Sequence, residues 1–285
     1  MNSVRMGILH PGAMGSTVGA AAIANVTAVM WTSHGRSGST AARAAAAGLK
    51  DMGTLEELVR RSDVIVSVCP PHAAEDVAGQ VAALRFGGVY VDANAVSPRR
   101  TRRIAAIATG GGADFVDGGI VGPPARKRGT TRLYLSGPSA GLVSECFADG
   151  PLEAVVLDGP VGAASALKMA YAAYTKGVTA LTAAILAVAT REGVLTALQR
   201  EWDISQPGYT KQADTRIRES APKAWRFVGE MEEIAATFTN AGLPGGFHEA
   251  AAEVYRRLER YKDCTELPSA EALAATWPSG SPAGS

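Results

Sequence analysis

The sequence predicts an α/β fold, a doubly wound domain over residues 1–158 followed by an all-helical domain over residues 159–285. Three observations predict it. A β-rich run near the N-terminus opens into a Gly-rich turn and then a helix of small residues. Further short β-rich runs alternate with helical runs as far as Asp158, the pattern of a parallel sheet with crossover helices. Beyond Asp158-Gly159 no convincing strand remains.

The first element is a buried strand over Val4 to Leu9. It runs into His10-Pro11-Gly12-Ala13-Met14-Gly15 and the helix Ser16 to Asn25. A Gly-rich turn at a helix start lets backbone N–H groups approach a pyrophosphate, and the positive end of the helix dipole assists. His10 stands where the first glycine of G-x-G-x-x-G is expected. The next strand, Ala28 to Trp31, ends where NAD-specific proteins place a carboxylate on the ribose 2′-hydroxyl. Here the chain offers Thr32, Ser33, His34, Gly35, Arg36 and Ser37, and no Asp or Glu occurs between Met1 and Lys50. The Arg36 guanidinium with the hydroxyls of Ser33 and Ser37 suits a 2′-phosphate, so the expected cofactor is NADP(H). The alternative is an ordinary strand–turn–helix with a solvated Arg36.

Asp63 to Cys69 is the next strand, followed by Pro70-Pro71 and a helix from Ala73 to Leu84. Cys69 ends the apolar run as a small buried group. Gly88 to Asp92 is a strand, Ala93 to Ser97 a loop containing Asn94, and a helix begins at Pro98, a favoured first-turn residue. The run Arg99-Arg100-Thr101-Arg102-Arg103 has no interleaved aromatic, and reads as a solvated helix face rather than a nucleic-acid patch. Asp114 to Val121, Thr131 to Ser136 and Glu153 to Leu157 read as strands, with a short helix over Ser139 to Phe147. Helices then follow over Gly162 to Glu192, Leu195 to Ser205, Tyr209 to Glu219, Ala224 to Ala241 and Phe247 to Tyr261. Pro207, Pro222 and Leu243-Pro244-Gly245-Gly246 divide them. The Gly-, Pro- and Ser-rich tail Pro278 to Ser285 is expected to be loosely held.

A length of 285 residues leaves ample chain for a core, and a formal net charge of +1 gives no electrostatic reason for nucleic acid or an anionic membrane as partner. Cys69, Cys146 and Cys264 are odd in number and far apart, which fits a reducing compartment without disulfides or a zinc spacing. Gly, His and Pro interrupt the first apolar run, so it does not read as a signal peptide. Ala163 to Ala189 is long enough to span a bilayer, but it contains Lys168 and Lys176 and many small residues. It reads as a protein-covered helix in a soluble cytoplasmic protein. A helix so long and apolar needs more than one neighbour, which predicts a homodimer through the helical domain.

Lys168 is the candidate catalytic residue. Ala163 to Leu167 and Met169-Ala170 are small or apolar, and an ammonium among them costs several kcal/mol unless paired or facing a polar cavity. Desolvation lowers a lysine pKa, which suits proton transfer to a carbonyl or imine during hydride transfer. A lysine that snorkels to solvent is the structural alternative. Tyr171 and Ala172 fall three and four residues on, on the same helical face. Tyr171 either shares the proton relay or packs as an ordinary aromatic.

In these residues the chain resembles the β-hydroxyacid dehydrogenase family, which includes 6-phosphogluconate and 3-hydroxyisobutyrate dehydrogenases and is related to imine reductases. Met6 to Gly15 resembles its nucleotide loop apart from His10. Val66 to Pro71, with Cys69, Pro70 and Pro71, resembles the strand whose end lies beside the cofactor ribose. Val91 to Pro98 resembles the segment that reaches the nicotinamide end, with Asn94 at its polar position. Asp117 to Pro123 falls at the substrate-binding segment and Lys168 at the catalytic lysine. The family pattern has serine where this chain has Val121, and asparagine where it has Ala172. The resemblance therefore implies a less polar or bulkier ketone, aldehyde or imine rather than a short hydroxyacid. A second family lysine is absent at Glu230-Met231-Glu232-Glu233.

The resemblance implies an NADP(H)-dependent oxidoreductase of Rossmann type acting on a small molecule, with Lys168 as general acid and base. Gly122 and Pro123 would approach the substrate through the backbone, and Trp225, Met231, Phe247 and His248 could wall its pocket. Retention of the lysine, often replaced in imine reductases, favours carbonyl–alcohol chemistry over imine reduction. The reading from another class is a non-catalytic NADP(H)-binding sensor.

Overall fold

The computed structural model describes residues 4–262, 264 and 266–275; the tail Pro278–Ser285 lies outside them. The chain divides into two compact units, Met1–Met169 and Ala170–Ser285, and the division falls inside the longest helix.

The first unit holds β1 (Arg5–Leu9), α1 (Gly15–Ala22), β2 (Ala28–Trp31), α2 (Gly38–Ala46), β3 (Lys50–Asp51), α3 (Leu55–Arg61) and β4 (Val64–Ser67). After a 3-10 turn at Pro71–Ala73 come α4 (Ala74–Ala83), β5 (Val89–Asp92), α5 (Pro98–Gly110) and β6 (Asp114–Val121). β7 (Thr131–Ser136), α6 (Ala140–Glu145) and β8 (Leu152–Val156) follow, and α7 (Ala163–Arg191) begins here. The eight strands form one sheet in the order β3-β2-β1-β4-β5-β6-β7-β8. All neighbours are parallel except β6 and β7. β1 pairs on one side with β2 (Met6 beside Val29) and on the other with β4 (Met6 beside Val64). The winding thus reverses at the carboxyl ends of β1 and β4, the crevice where such sheets bind ligands.

The alternation of side chains along each strand builds a core on each face of the sheet. Met6, Ile8, Val64, Val66, Val89, Val91 and Val116 join one cluster, with Val18 and Ala22 of α1. Leu9, Ile65, Tyr90 and Phe115 join the other, with Leu58 of α3, Val77 and Val81 of α4, and Ile104 of α5. Strands buried on both faces read as continuous apolar runs, which is why they were conspicuous in the sequence. The Arg99–Arg103 run is partly tied down, since Arg100 and Arg103 pair with Glu75 of α4 at 3.2 and 2.8 Å.

The second unit contains the rest of α7, then α8 (Leu195–Ser205), α9 (Tyr209–Ser220), α10 (Ala224–Asn240), α11 (Gly246–Leu258) and α12 (Ala270–Ala275). Ile234 and Ala235 of α10 are buried, as are Ala251, Ala252 and Leu258 of α11. Lys176 and Glu230 form a largely buried ion pair at 2.9 Å, and the Tyr255 hydroxyl donates to the Lys176 carbonyl at 2.9 Å. Among the described residues, α7 is the one helix long and apolar enough to cross a membrane by length and composition alone. Met169 and Leu186 of this helix are buried, whereas among the described residues nothing fully covers Tyr171, Tyr174, Leu181, Ile185 and Val188, which are 36–66% exposed.

Candidate nucleotide-binding and catalytic site

The turn after β1 is built around a histidine in the left-handed region. His10 has φ +64°, a conformation that costs a non-glycine residue about 1–2 kcal/mol. Its carbonyl accepts from Gly12 N at 2.7 Å, and α1 begins immediately afterwards. Gly15 is obligatory, because a Cβ there would lie 2.5 Å from the His10 carbonyl oxygen. Pro11 is buried, Gly12 and Met14 half-buried and Ala13 exposed. No side chain caps α1 and its first turn carries no acid, which leaves its amino end open to an anion.

The loop after β2 is more tightly committed than the sequence implied. Ser37 caps α2, its Oγ accepting from Thr40 N at 3.3 Å, and Thr32 donates to the Gly53 carbonyl at 2.7 Å. A carboxylate does come near in space, although none does in sequence. Asp51 of β3 accepts from Ser33 N at 3.1 Å and Gly53 N at 2.8 Å. Those two amide donors hold the loop in shape. The half-buried Arg36 has its Nε enclosed without a hydrogen-bond partner, and so does Nδ1 of half-buried His10. Both residues line a cavity of about 100 Å³ with Leu9, Thr32, His34, Leu55, Val77, Gln80 and Val81. Burial, and then the Arg36 charge, hold the His10 imidazole down to a pKa of about 4, so it is neutral at physiological pH. Two enclosed nitrogens without partners beside an uncapped helix start fit a nicotinamide dinucleotide, which brings hydrogen-bond acceptors to this end of the sheet.

At the ends of β4 and β5 a buried polar group fixes the next turn. The Asn94 Oδ1 accepts from Cys69 N at 2.6 Å, and its Nδ2 donates to Ser67 Oγ at 3.2 Å and to Asp92 Oδ1. Asn94 is 3% exposed, so its amide is spent on the protein. Cys69 lies two residues past the strand end at Ser67 and is half-buried, and burial pushes its thiol up to about 12. Asp92 is fully buried, with Oδ2 unpartnered. Burial and then the nearby Asp117 push its carboxyl up to about 8, so it is mostly protonated at neutral pH.

Asp117 of β6 supplies the cap for α7 that local sequence lacks. Its Oδ2 accepts from Gly162 N at 2.9 Å and Ser165 N at 3.0 Å, and its Oδ1 from Ser165 Oγ at 2.6 Å. Ser136 of β7 donates to the same carboxylate at 3.1 Å. The helix so anchored crosses β6 at Gly119, where a Cβ would lie 2.6 Å from the Ala164 carbonyl oxygen and 3.1 Å from Lys168 Cβ. Lys168 is half-buried there, with a stem that packs on bare sheet backbone.

The expected substrate residues differ in exposure. Val121 is buried at the end of β6. Gly122 is exposed, with φ +121°, and any Cβ there would lie 2.3 Å from the Thr130 carbonyl oxygen; the turn requires it. Pro123 is exposed, but its carbonyl accepts from Thr131 Oγ1 at 2.6 Å. Ala172 and Met231 are fully buried. His248 is buried against the Phe238 ring at 4.3 Å, and burial lowers its pKa. Met231 and His248 thus belong to the interior of the helical unit. Trp225 is exposed with Lys262 over its ring at 4.5 Å, and Phe247 is 82% exposed. Tyr171 is exposed, so the chain does not pack it as a core aromatic.

Residues 5–145 match the family described as the NAD binding domain of 6-phosphogluconate dehydrogenase, and residues 189–258 match a domain of unknown function, DUF1932. An uncharacterised 28.5 kDa protein of Methanothermus fervidus is 33% identical over 165 residues, 58% of this chain and 62% of that protein. The match therefore spans less than two thirds of that relative's length. A solved conserved protein of unknown function, described as structurally similar to 3-hydroxyacid dehydrogenases, is 25% identical with TM-score 0.68; the match covers 95% of this chain and 99% of that one. The fold is shared with a 3-hydroxyisobutyrate dehydrogenase of Mycobacterium tuberculosis solved with L-serine (18% identity, TM-score 0.70, 96% and 98% covered). It is also shared with an Aspergillus terreus reductive aminase in complex with NADPH and ethyl levulinate (18% identity, TM-score 0.55, 91% and 94% covered). The N-terminal part of the chain is thus similar to the NAD binding domain of 6-phosphogluconate dehydrogenase, and the chain as a whole shares the fold of a protein described as similar to 3-hydroxyacid dehydrogenases.

Proposed function

We propose that this protein is a soluble NADP(H)-dependent oxidoreductase that interconverts a small carbonyl compound and its alcohol, with Lys168 as general acid and base. The observation that carries the reading is the placement of Lys168. Asp117 anchors the start of its helix, and Gly119 admits its stem to the surface of the dinucleotide-binding sheet. The nicotinamide cofactor, when bound, supplies or accepts the hydride. The residues of the chain bind, orient and move a proton. The turn His10–Gly15 and the amino end of α1 receive the pyrophosphate, Arg36 and Ser33 the 2′-phosphate, and Asn94 holds the Cys69-Pro70-Pro71 turn against the ribose. Ser37 contributes by fixing the start of α2 behind Arg36. Lys168 gives its proton to the substrate oxygen in reduction and removes it in oxidation.

Val121 and Ala172 offer no polar group for a hydroxyacid, which favours a less polar carbonyl substrate. The same feature supports imine reduction as the second reading. The exposed side of α7 has its apolar groups at Tyr171, Tyr174, Val178, Leu181, Ile185 and Val188, the three-and-four spacing of a helix–helix seam. A second copy of the chain covers it in a homodimer. Turnover of NADPH against panels of aldehydes, ketones, hydroxyacids and cyclic imines tests the proposal. Turnover confined to the cyclic imines selects the second reading. Tight NADPH binding without turnover on any panel selects a cofactor-binding sensor.

A further inference from the structure

A glycine is the low-strain choice at the left-handed first position of a dinucleotide-binding turn, and this chain places a histidine there at φ +64°. Strain retained at a binding loop is a reason to look for what the side chain does. The His10 Nδ1 is enclosed and unpartnered, the Arg36 Nε is enclosed and unpartnered, and both residues line the same small cavity. Nearby hydrogen-bonding groups do not satisfy either nitrogen, because Thr32 spends its hydroxyl on Gly53 and Ser37 spends its own on α2. Arg36 and His34 from the loop after β2 line the cavity with His10; the Cys69 thiol beyond β4 acts on Arg36, and Glu56 of α3 interacts with His34. α4 faces the cavity with uncharged Val77, Gln80 and Val81. No carboxylate acts on the imidazole to compete with an incoming anion.

We propose that His10 is a second ligand for the 2′-phosphate of NADP(H), acting with Arg36 and taking up a proton when the phosphate enters. This deepens the NADP(H) reading and rests on it. Burial and the Arg36 charge by themselves hold His10 neutral. A phosphate dianion beside it reverses that balance, because an opposite charge at contact raises a histidine pKa by about 1–3 units. One proton then passes from solvent to the imidazole as the phosphate binds, and the bound anion meets two cations rather than one. The histidine therefore selects for the phosphate monoester, and most strongly at mildly acidic pH.

Calorimetric titration of the full chain with adenosine 2′,5′-bisphosphate and with 5′-AMP, at pH 6 and pH 8 in buffers of different ionisation heat, tests this without any turnover. The wild type is expected to take up a larger fraction of a proton than His10→Gly on binding the bisphosphate at pH 6, and the same amount as that variant on binding 5′-AMP. His10→Gly should bind the bisphosphate about three- to tenfold more weakly at pH 6 and within about twofold of wild type at pH 8. Comparing the variant with wild type on one ligand cancels the ligand's own titration. His10→Asn, which tolerates the left-handed conformation, should behave like glycine in proton uptake. Unaltered melting temperatures establish that the variants are folded; should one fold poorly, the other supplies the comparison. Equal proton uptake by wild type and variant on the bisphosphate, or a variant-to-wild-type affinity ratio that is the same at both pH values, overturns the role of His10. If the wild type does not prefer the bisphosphate to 5′-AMP at all, the NADP(H) reading fails and this inference falls with it. If it prefers the bisphosphate but His10→Gly matches wild type, only this inference fails.

Discussion

Lys168 packs against the bare backbone of Gly119: a methyl group added there would lie 3.1 Å from the lysine Cβ and 2.6 Å from the Ala164 carbonyl oxygen. The second distance is the severe one, because the carbonyl belongs to the helix and cannot rotate away. Gly119→Ala must therefore lift the start of α7 from the sheet. The expected cost is about 1–3 kcal/mol of stability, with a fall in turnover of about 10–100-fold, since small misplacements of a catalytic group are expensive. Affinity for adenosine 2′,5′-bisphosphate should be unchanged. Urea denaturation with steady-state kinetics measures both, and a variant with wild-type stability and rate would show that the contact does not position the lysine.

Cofactor preference should follow Arg36. One charge-assisted phosphate contact contributes about 1.5–3 kcal/mol, so NADPH should bind at least about tenfold more tightly than NADH. Arg36→Ala should remove most of that preference and leave NADH affinity nearly intact, as read by cofactor fluorescence titration. Asp51, which braces the loop through Ser33 N and Gly53 N, gives a matched control. Asp51→Asn should loosen binding of both cofactors together rather than alter the preference.

The Asp92 carboxyl gives a pH signature for stability. Its folded pKa of about 8 lies above the ordinary aspartate value of 3.8, so between those values the folded chain keeps a proton that the unfolded chain has lost. Its contribution is full below about pH 4 and declines as pH rises toward 8. Asp92→Asn mimics the protonated carboxyl in shape and retains an acceptor for Asn94. The melting temperature of the variant should fall less than that of the wild type between pH 5 and pH 8. Parallel melting curves across that range would mean that Asp92 is ionised in the folded protein.

The exposed seam on α7 predicts the assembly. Light scattering at micromolar concentration should give a dimer. Replacing Leu181 and Ile185, 59% and 36% exposed, with lysine should give monomers that keep their helix content. A wild-type monomer would remove the basis for a second copy on this face.

Much of the sheet was legible because parallel strands buried on both faces are runs of apolar residues, as in Val64–Ser67 and Val89–Asp92. The stretch between β2 and β4 was not. β3 is two exposed residues, Lys50 and Asp51, with no periodicity to detect. α3 did carry a readable signal, the Thr54-Leu55-Glu56-Glu57 start, where Thr54 Oγ1 accepts from Glu57 N at 3.3 Å. The turn after β1, Arg36 and the long helix with Lys168 could be found in the sequence because each is a local pattern. Asp51 and Asp117 could not. Asp51 reaches Ser33 from 18 residues away, and Asp117 reaches Gly162 from 45. Asn94 was visible as a polar residue at a strand end. That its amide is consumed by Cys69, Ser67 and Asp92 is a property of two chain segments meeting.

The central claim, that Lys168 moves the proton in a hydride-transfer reaction, is tested most directly by single-turnover oxidation of NADPH with the best substrate from the panels, comparing wild type with Lys168→Met. The variant should bind NADPH within about twofold of wild type and react about 10²–10⁴ more slowly, the usual worth of a placed general acid. Tyr171→Phe, altered on an exposed side chain, should stay close to the wild-type rate. A Lys168→Met rate near wild type, with Tyr171→Phe inactive, would contradict the account and move the proton to the tyrosine.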